Sequence, residues 1–428
     1  MSSDSIRNKR VFVSDIHLGD ARSWTGAGYP YPYAWIRRNI ETLKAFLDET
    51  AQREDVAELV LLGDLFDQWI IPADLAPNIR LDDIAESNRE VIEKIGALPR
   101  SGIKVTYVPG NHDMPFSLND IQARKDFMAR VLPGVKYVCD DSAAPPRVVY
   151  RRGLLAAEHG HMYCLCNAPD WSENPGTPLL HKSFLPLGYF VSRLVAYKEA
   201  TTGKPQSDFR ILAGVIEASL RKSGGEFIPE MDPTKIPEKL PGRTSFAREL
   251  LTGMASDASF GWNRPVNIEG LPEYPSTESL DSLSDDYSVL WSNWDNHPAV
   301  RYVANNDINT CIAALNECGH ISEAAKAEYL QPKRKDTNIV IFGHTHIAEI
   351  KKYCVVESIA LDHIPLPSGG PYDFIYANSG SWVDSVPYCS YVETEEDPAS
   401  NRCYVRLMAY APGKTEVKGQ GYVRLKEQ

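Results

Sequence analysis

Asp15 and His17, Asp64 and Asp67, the triplet Asn111, His112 and Asp113, His159 and His161, and His344 and His346 all stand just past the end of a short apolar run. The runs are VFV before SDIH, LVLL before GDLFD, VTYV before PGNHD, LLAA before EHGH and IVIF before GHTH. Short apolar runs bounded in this way read as buried strands. Acids at the end of such a strand are costly unless their charge meets a cation. A single Asp there reads as a helix cap or turn former, but five strands ending in acids, imidazoles and an amide do not. In an open α/β sheet the carboxyl ends of the strands lie along one edge, where ligands bind. Residues between positions 15 and 346 can therefore converge on one site.

Carboxylates, imidazoles and one amide oxygen suit a first-row metal. Calcium and magnesium prefer all-oxygen shells, and structural zinc prefers thiolates. Mn²⁺, Fe²⁺ and Zn²⁺ all fit, with Mn²⁺ the first choice. Two such ions roughly 3.5 to 4 Å apart can share one carboxylate and one water, which then yields hydroxide at neutral pH. That chemistry is the hydrolysis of a phosphate ester.

The elements that must carry these residues follow from the pattern. Residues 11–14 form a first strand. The loop over 19–33 holds Trp24, Tyr29, Tyr31 and Tyr33 and reads as a surface loop pinned by its aromatics or as a wall of the site. Ile36, Ile40, Leu43 and Leu47 mark one face of a helix over 34–50, and Ile84, Val91, Ile92 and Ile95 mark a second. With strands at 59–62 and 104–108, the β-α-β-α-β order implies parallel strands joined by right-handed crossovers. Short β pieces at 135–139, 147–150 and 154–157 come next.

From 167 to 335 no further strand ends in ligand-type residues. Helical patches stand at 184–198, 209–221, 247–254 and 308–330, around a Ser/Asp/Glu/Pro-rich middle. A structureless loop of that length does not fit a compact domain, so the segment reads as a mostly helical inserted cap. Its helix FLPLGYFVSRLVAYK carries Arg193 and Lys198 beside a strongly apolar face. This is either an acyl-chain or peripheral membrane contact, or a surface buried against the core, and burial is the preferred reading. After 338–342 the chain is β-rich, with DFIYANSGSW the clearest piece.

The chain has 428 residues, 43% of them hydrophobic, and a net charge of -12. Its length suits a large core plus an insertion. The acidic balance, with no Lys/Arg stripe, argues against a nuclease or general nucleic-acid binder. The opening MSSDSIRNKR has no apolar signal region and no run of about 18 apolar residues occurs, so a cytoplasmic location is the default expectation. The eight cysteines are irregularly spaced and read as reduced thiols. Cys164 and Cys166 lack the second pair that a zinc site needs, so packing is the better reading.

DIH at 15–17, GDLFD at 63–67, GNHD at 110–113, HGH at 159–161 and GHTH at 343–346 resemble, in order and strand context, the motifs of the calcineurin-like metallophosphoesterases. The resemblance covers about residues 8–165 and 336–385. It implies an α/β fold, a four-layer αββα sandwich with a mostly helical inserted cap. The first part of the core is expected at 8–165, the cap at 166–335, and the second part with C-terminal strands at 336–428. It also implies one metal held by Asp15, His17, Asp64 and His346 and another by Asp64, Asn111, His159 and His344, with Asp64 bridging. His112 would protonate or stabilise the leaving oxygen and Asp113 would orient it. Asp67 would cap or support, and His161 stands where the family varies.

SDIHLGD, GDLFD followed by Gln68 and Trp69, and HGH before a helical insertion are similar to the branch of UDP-2,3-diacylglucosamine pyrophosphohydrolases. That branch has Arg where this chain has His112, and its insertion is shorter. The expectation is therefore a dinuclear-metal hydrolase of phosphomonoesters or phosphodiesters. A pyrophosphate hydrolase of a lipid-linked nucleotide is the alternative. A non-catalytic scaffold for a protein partner is a third reading, against which stands the complete set of ligand-type residues.

Overall fold

Alternation within the strands decides the layering. β1 (Lys9–Val13) turns Val11 and Val13 to one face and Phe12 to the other. β2 (Val56–Leu62) does the same with Leu59 and Leu61 against Val60 and Leu62. Side chains alternate along a strand, so apolar residues at every position mean that both faces are covered. The computed structural model describes residues 7–114, 120–138, 148–164, 167–168, 185–204, 263–271, 276–283, 317–330, 336–356, 359–360 and 371–425.

β1, β2 and β3 (Lys104–Val108) are parallel, as the β-α-β-α-β pattern requires. They lie inside a seven-stranded sheet of order β16-β15-β14-β1-β2-β3-β4. Its far edge is an antiparallel meander of β14 (Cys389–Asp397), β15 (Arg402–Ala411) and β16 (Lys414–Arg424), and β4 is the short Lys136–Tyr137. A second sheet runs β10-β13-β9-β6-β5. In it β6 (Leu155–Ala157), β9 (Ile339–Phe342) and β13 (Phe374–Asn378) are parallel, flanked by β5 (Tyr150–Arg152) and β10 (Glu349–Tyr353).

Phe12, Val60, Leu62 and Val108 meet Leu155, Ala157, Ile339, Ile341 and Ile375 between the two sheets. Burying each of these large apolar side chains contributes about 1.5–3 kcal/mol. On the other face of the first sheet lie α2 (Ile40–Ala51), α3 (Leu81–Ser87), α4 (Arg89–Ala97) and α5 (Asp120–Val131), through Leu43, Phe46, Ile84, Ile95 and Phe127. On the outer face of the second sheet lies α7 (Glu317–Tyr329), whose Ser322 accepts from Lys351 Nζ at 2.6 Å and whose Tyr329 ring meets Phe342. The result is the expected helix, sheet, sheet, helix sandwich.

Two helix boundaries differ from the sequence pattern, each for a local reason. Residues 35–39 are turns, because Asp384 engages that backbone: its N–H donates to Trp35 O at 2.6 Å and its carboxylate accepts from Arg38 and Asn39 N–H. The second expected helix is divided at Asn88, whose side-chain amide donates to Gly19 O and Ile84 O at 2.7 Å each. The loop after β1 also contains the short α1 (Ala21–Thr25), capped by Asp20.

Of the expected insertion, α6 (Leu187–Thr202), α7 and a small pair of β7 (Val266–Asn267) and β8 (Thr277–Glu278) are described. The helical patches expected at 209–221 and 247–254 lie outside the described residues. In α6 Leu187, Tyr189, Phe190, Val191, Leu194 and Val195 are all buried, so burial is the reading that holds for this helix. No helix among the described residues is long and apolar enough to cross a membrane.

Candidate metal centre

Five strand ends deliver the site. Asp15 and His17 follow β1, Asp64 and Asp67 follow β2, Asn111 to Asp113 follow β3, His159 follows β6, and His344 and His346 follow β9. Six non-glycine residues among those described have a left-handed φ; five are Asp15, His17, Asp64, His344 and His346, with φ from 54° to 72°. That conformation costs an L-residue roughly 1–2 kcal/mol, so its concentration at these positions marks a backbone held for a purpose other than stability. The strand ends are laced together as well. Asp15 N–H donates to Gly63 O, and the N–H groups of Ile16 and His17 donate to Asp64 O.

Each carboxylate is clamped by one oxygen and turned inward by the other. Asp15 Oδ2 accepts from Ser14 Oγ and from His344 N–H, while its Oδ1 is buried with no hydrogen bond. That oxygen lies 3.3 Å from His346 Nε2 and 3.9 Å from the Nε2 atoms of both His17 and His159. Asp64 Oδ1 accepts from His112 N–H at 2.9 Å, and its Oδ2 lies 3.1 Å from His159 Nε2 and 3.8 Å from His17 Nε2.

The imidazoles are oriented by their second nitrogens. His159 Nδ1–H donates to Leu62 O at 2.9 Å and His17 Nδ1–H to Asp67 Oδ2 at 2.6 Å, which turns both Nε2 atoms toward the centre. Asn111 Oδ1 sits 3.0 Å from His159 Nε2, and the Nε2 atoms of His17 and His346 approach to 3.0 Å. Among the described residues three sets of donor atoms are close enough to hold an ion: Asp15, His17 and His346; Asp64, His159 and His344; and His17, Asp64 and His112. The first two sets fall within the two ligand groups that the resemblance implies. An unpartnered buried carboxylate oxygen facing imidazole nitrogens is a donor set that fits a first-row cation.

The charges say the same. At Asp15 and Asp64 burial opposes ionisation, yet the surrounding imidazoles together outweigh it, His159 first, with His346 at Asp15 and His112 and His17 at Asp64, and hold both below the usual carboxylate range. Burial should lower His159 in turn, but the Asp64 and Asp15 carboxylates push it up to about 10. Two buried anions thus draw a proton into the centre, where a cation would serve the same purpose.

Asp67 and Asp113 divide their work differently from the expectation. The carboxylate on His112 Nδ1 is that of Asp67, whose Oδ2 lies at 2.9 Å while also accepting from His17; its Oδ1 caps the next turn through Trp69 and Ile70 N–H. Asp113 instead accepts backbone N–H groups from Asp64, Leu65, Phe66 and Gly110. It holds the loop after β2 against the loop after β3. His161 stands outside the three clusters, its ring 5.5 Å from His159 and 6.4 Å from His344.

Some neighbours of the site were not singled out by the sequence pattern. Trp35 lies beside the rings of His17, His112 and His346, and Asn167 Nδ2 comes within 3.4 Å of His344 Nε2. Trp69, noted only for following the second motif, covers His112 with ring centroids 4.4 Å apart and planes at 31°. The aromatic-rich loop after His17 was the available signal for Trp35, and its wall extends two residues past the stretch that carried that signal.

Residues 9–202 match the family model of the calcineurin-like phosphoesterases. No match is found among curated proteins. Among solved structures the chain is similar to a single mutant of Vps29 from Entamoeba histolytica, with 11% identity and a TM-score of 0.28 over 98% of this chain and 99% of that one. At that score the likeness carries no argument.

Proposed function

We propose that this chain, a calcineurin-like phosphoesterase over residues 9–202, is a hydrolase of phosphoesters that works with two divalent first-row ions, Mn²⁺ being the first choice. The observation that carries the reading is the inward-facing Oδ1 of Asp15, buried without a hydrogen bond and surrounded by three imidazole Nε2 atoms. Asp15, His17, Asp64 and His346 would hold one ion, and Asp64, Asn111, His159 and His344 the other. When bound, the pair supplies Lewis acidity to the phosphoryl oxygens and an activated water.

The protein's own groups do the rest. Asp67 fixes the His112 tautomer, since accepting from Nδ1–H leaves Nε2 to carry or give up a proton. His112 then protonates the departing ester oxygen. Asp113 acts at one remove, keeping the Asp64 and Asn111 loops in register through its backbone bonds. The buried α6 offers no free apolar face among its described residues, which favours an ester without long acyl chains over a lipid-linked nucleotide. The test is hydrolysis of p-nitrophenyl phosphate and bis(p-nitrophenyl) phosphate with added Mn²⁺. Activity lost in Asp64→Ala supports the reading; inactivity on both esters with Mn²⁺, Fe²⁺ and Zn²⁺ alike overturns it in favour of a scaffold.

A further inference from the structure

Among the described residues two indoles flank His112, and they differ in access. Trp69 is fully buried behind the ring. Trp35 is only half-buried, and its ring lies 5.0 Å from His17, 5.8 Å from His112 and 6.2 Å from His346. It therefore borders both the proton-donating imidazole and the His17, His346 side of the centre. His346 is itself 28% exposed, so the site meets solvent on this side. The Trp35 Nε1–H is buried and makes no hydrogen bond. The residue's backbone is held in place from the opposite end of the chain, where Asp384 N–H donates to Trp35 O.

We infer that Trp35 is a specificity-determining residue that packs against the leaving group, and that the preferred esters carry a planar aromatic one. The inference rests on the phosphoesterase reading above. With the departing oxygen at His112, whatever is attached to that oxygen extends past the imidazole, and the half-buried Trp35 indole stands 5.8 Å from that ring to receive it. A flat ring buries more area on an indole than an alkyl group does and gains an offset or edge-to-face contact besides.

The test compares phenyl phosphate with methyl phosphate in the wild type, Trp35→Ala and Trp35→Phe, reading kcat/KM by phosphate release with Mn²⁺ present. The ratio of the two substrates within each protein removes their difference in intrinsic reactivity between proteins. Trp35→Ala should lower the phenyl-to-methyl ratio about tenfold, and Trp35→Phe should keep it within about threefold of the wild type. A ratio unchanged in Trp35→Ala overturns the inference, including the case in which both substrates fall together because His17 or His346 has moved. Phenylphosphonate and methylphosphonate binding, measured by calorimetry on the same proteins, provides the second readout. Weaker binding of phenylphosphonate alone in Trp35→Ala supports the role, and equal weakening of both contradicts it. A wild type that binds phenylphosphonate but hydrolyses neither ester overturns the phosphoesterase reading instead.

Discussion

Asp67 Oδ2 accepts from two imidazoles at once, that of His17, which faces the centre, and that of His112, the proposed proton donor to the leaving group. Two kinds of substitution should separate these jobs. His112→Asn should lower kcat about 10²- to 10⁴-fold for phenyl phosphate. The loss should be much smaller for p-nitrophenyl phosphate, whose leaving group departs without a proton; measured kcat values on the two esters check this. Asp113→Asn should leave that leaving-group dependence intact but cost about 1–3 kcal/mol in urea unfolding, because its amide would set N–H against N–H. Residue types were readable from sequence, since acids and imidazoles past apolar runs declare themselves. The partner of each was not. On paper Asp113 was the expected support for His112 and Asp67 a cap, and only the path of two loops decides that Asp67 meets the ring while Asp113 meets the backbone.

The strands were legible as elements because their apolar runs had no other use, and their order fixed which ends would meet. Helix starts were less so: the turn at 35–39 depends on Asp384, which no local pattern connects to it. At the strand ends glycines are demanded by approach, Gly63 and Gly110 among them. Gly63 has a φ of 90° and a Cβ there would strike the His159 ring, while a Cβ on Gly110 would strike the Asp64 carboxylate. Gly110→Ala should therefore displace Asp64 and weaken Mn²⁺ binding by an order of magnitude or more, read by calorimetry. Where β1 and β2 begin, hydrogen bonds from Arg53 hold Asp55 well below its ordinary value of 3.8, aided by Lys9. A carboxyl depressed in the folded state adds stability above the unfolded value and loses it as pH falls through the folded one. The Tm difference between wild type and Asp55→Asn should be largest near neutral pH and shrink below about pH 4.

At the scale of the whole molecule a buried cation helps to tie α6 of the expected insertion into the core. Arg193 of α6 is fully buried and donates to Ile71 O, Pro72 O, Leu75 O, Asn267 O and the Tyr189 hydroxyl. Tyr189 in turn lies edge-on to Trp69, which covers His112. Removing the guanidinium leaves several carbonyls unpaired, so Arg193→Met should destabilise by about 3 kcal/mol in urea unfolding. The sequence offered α6 as a core-packed or a lipid-facing helix; the apolar run could not distinguish them, whereas Arg193 among five oxygen acceptors does. If the five strand ends hold a pair of ions around Asp64, anomalous diffraction from crystals soaked in Mn²⁺ should show two peaks about 3.5–4 Å apart near the Asp64 carboxylate, with at least one lost in Asp64→Ala. A map with no peak between Asp15 and His344, or an Asp64→Ala map that keeps both, would contradict that arrangement.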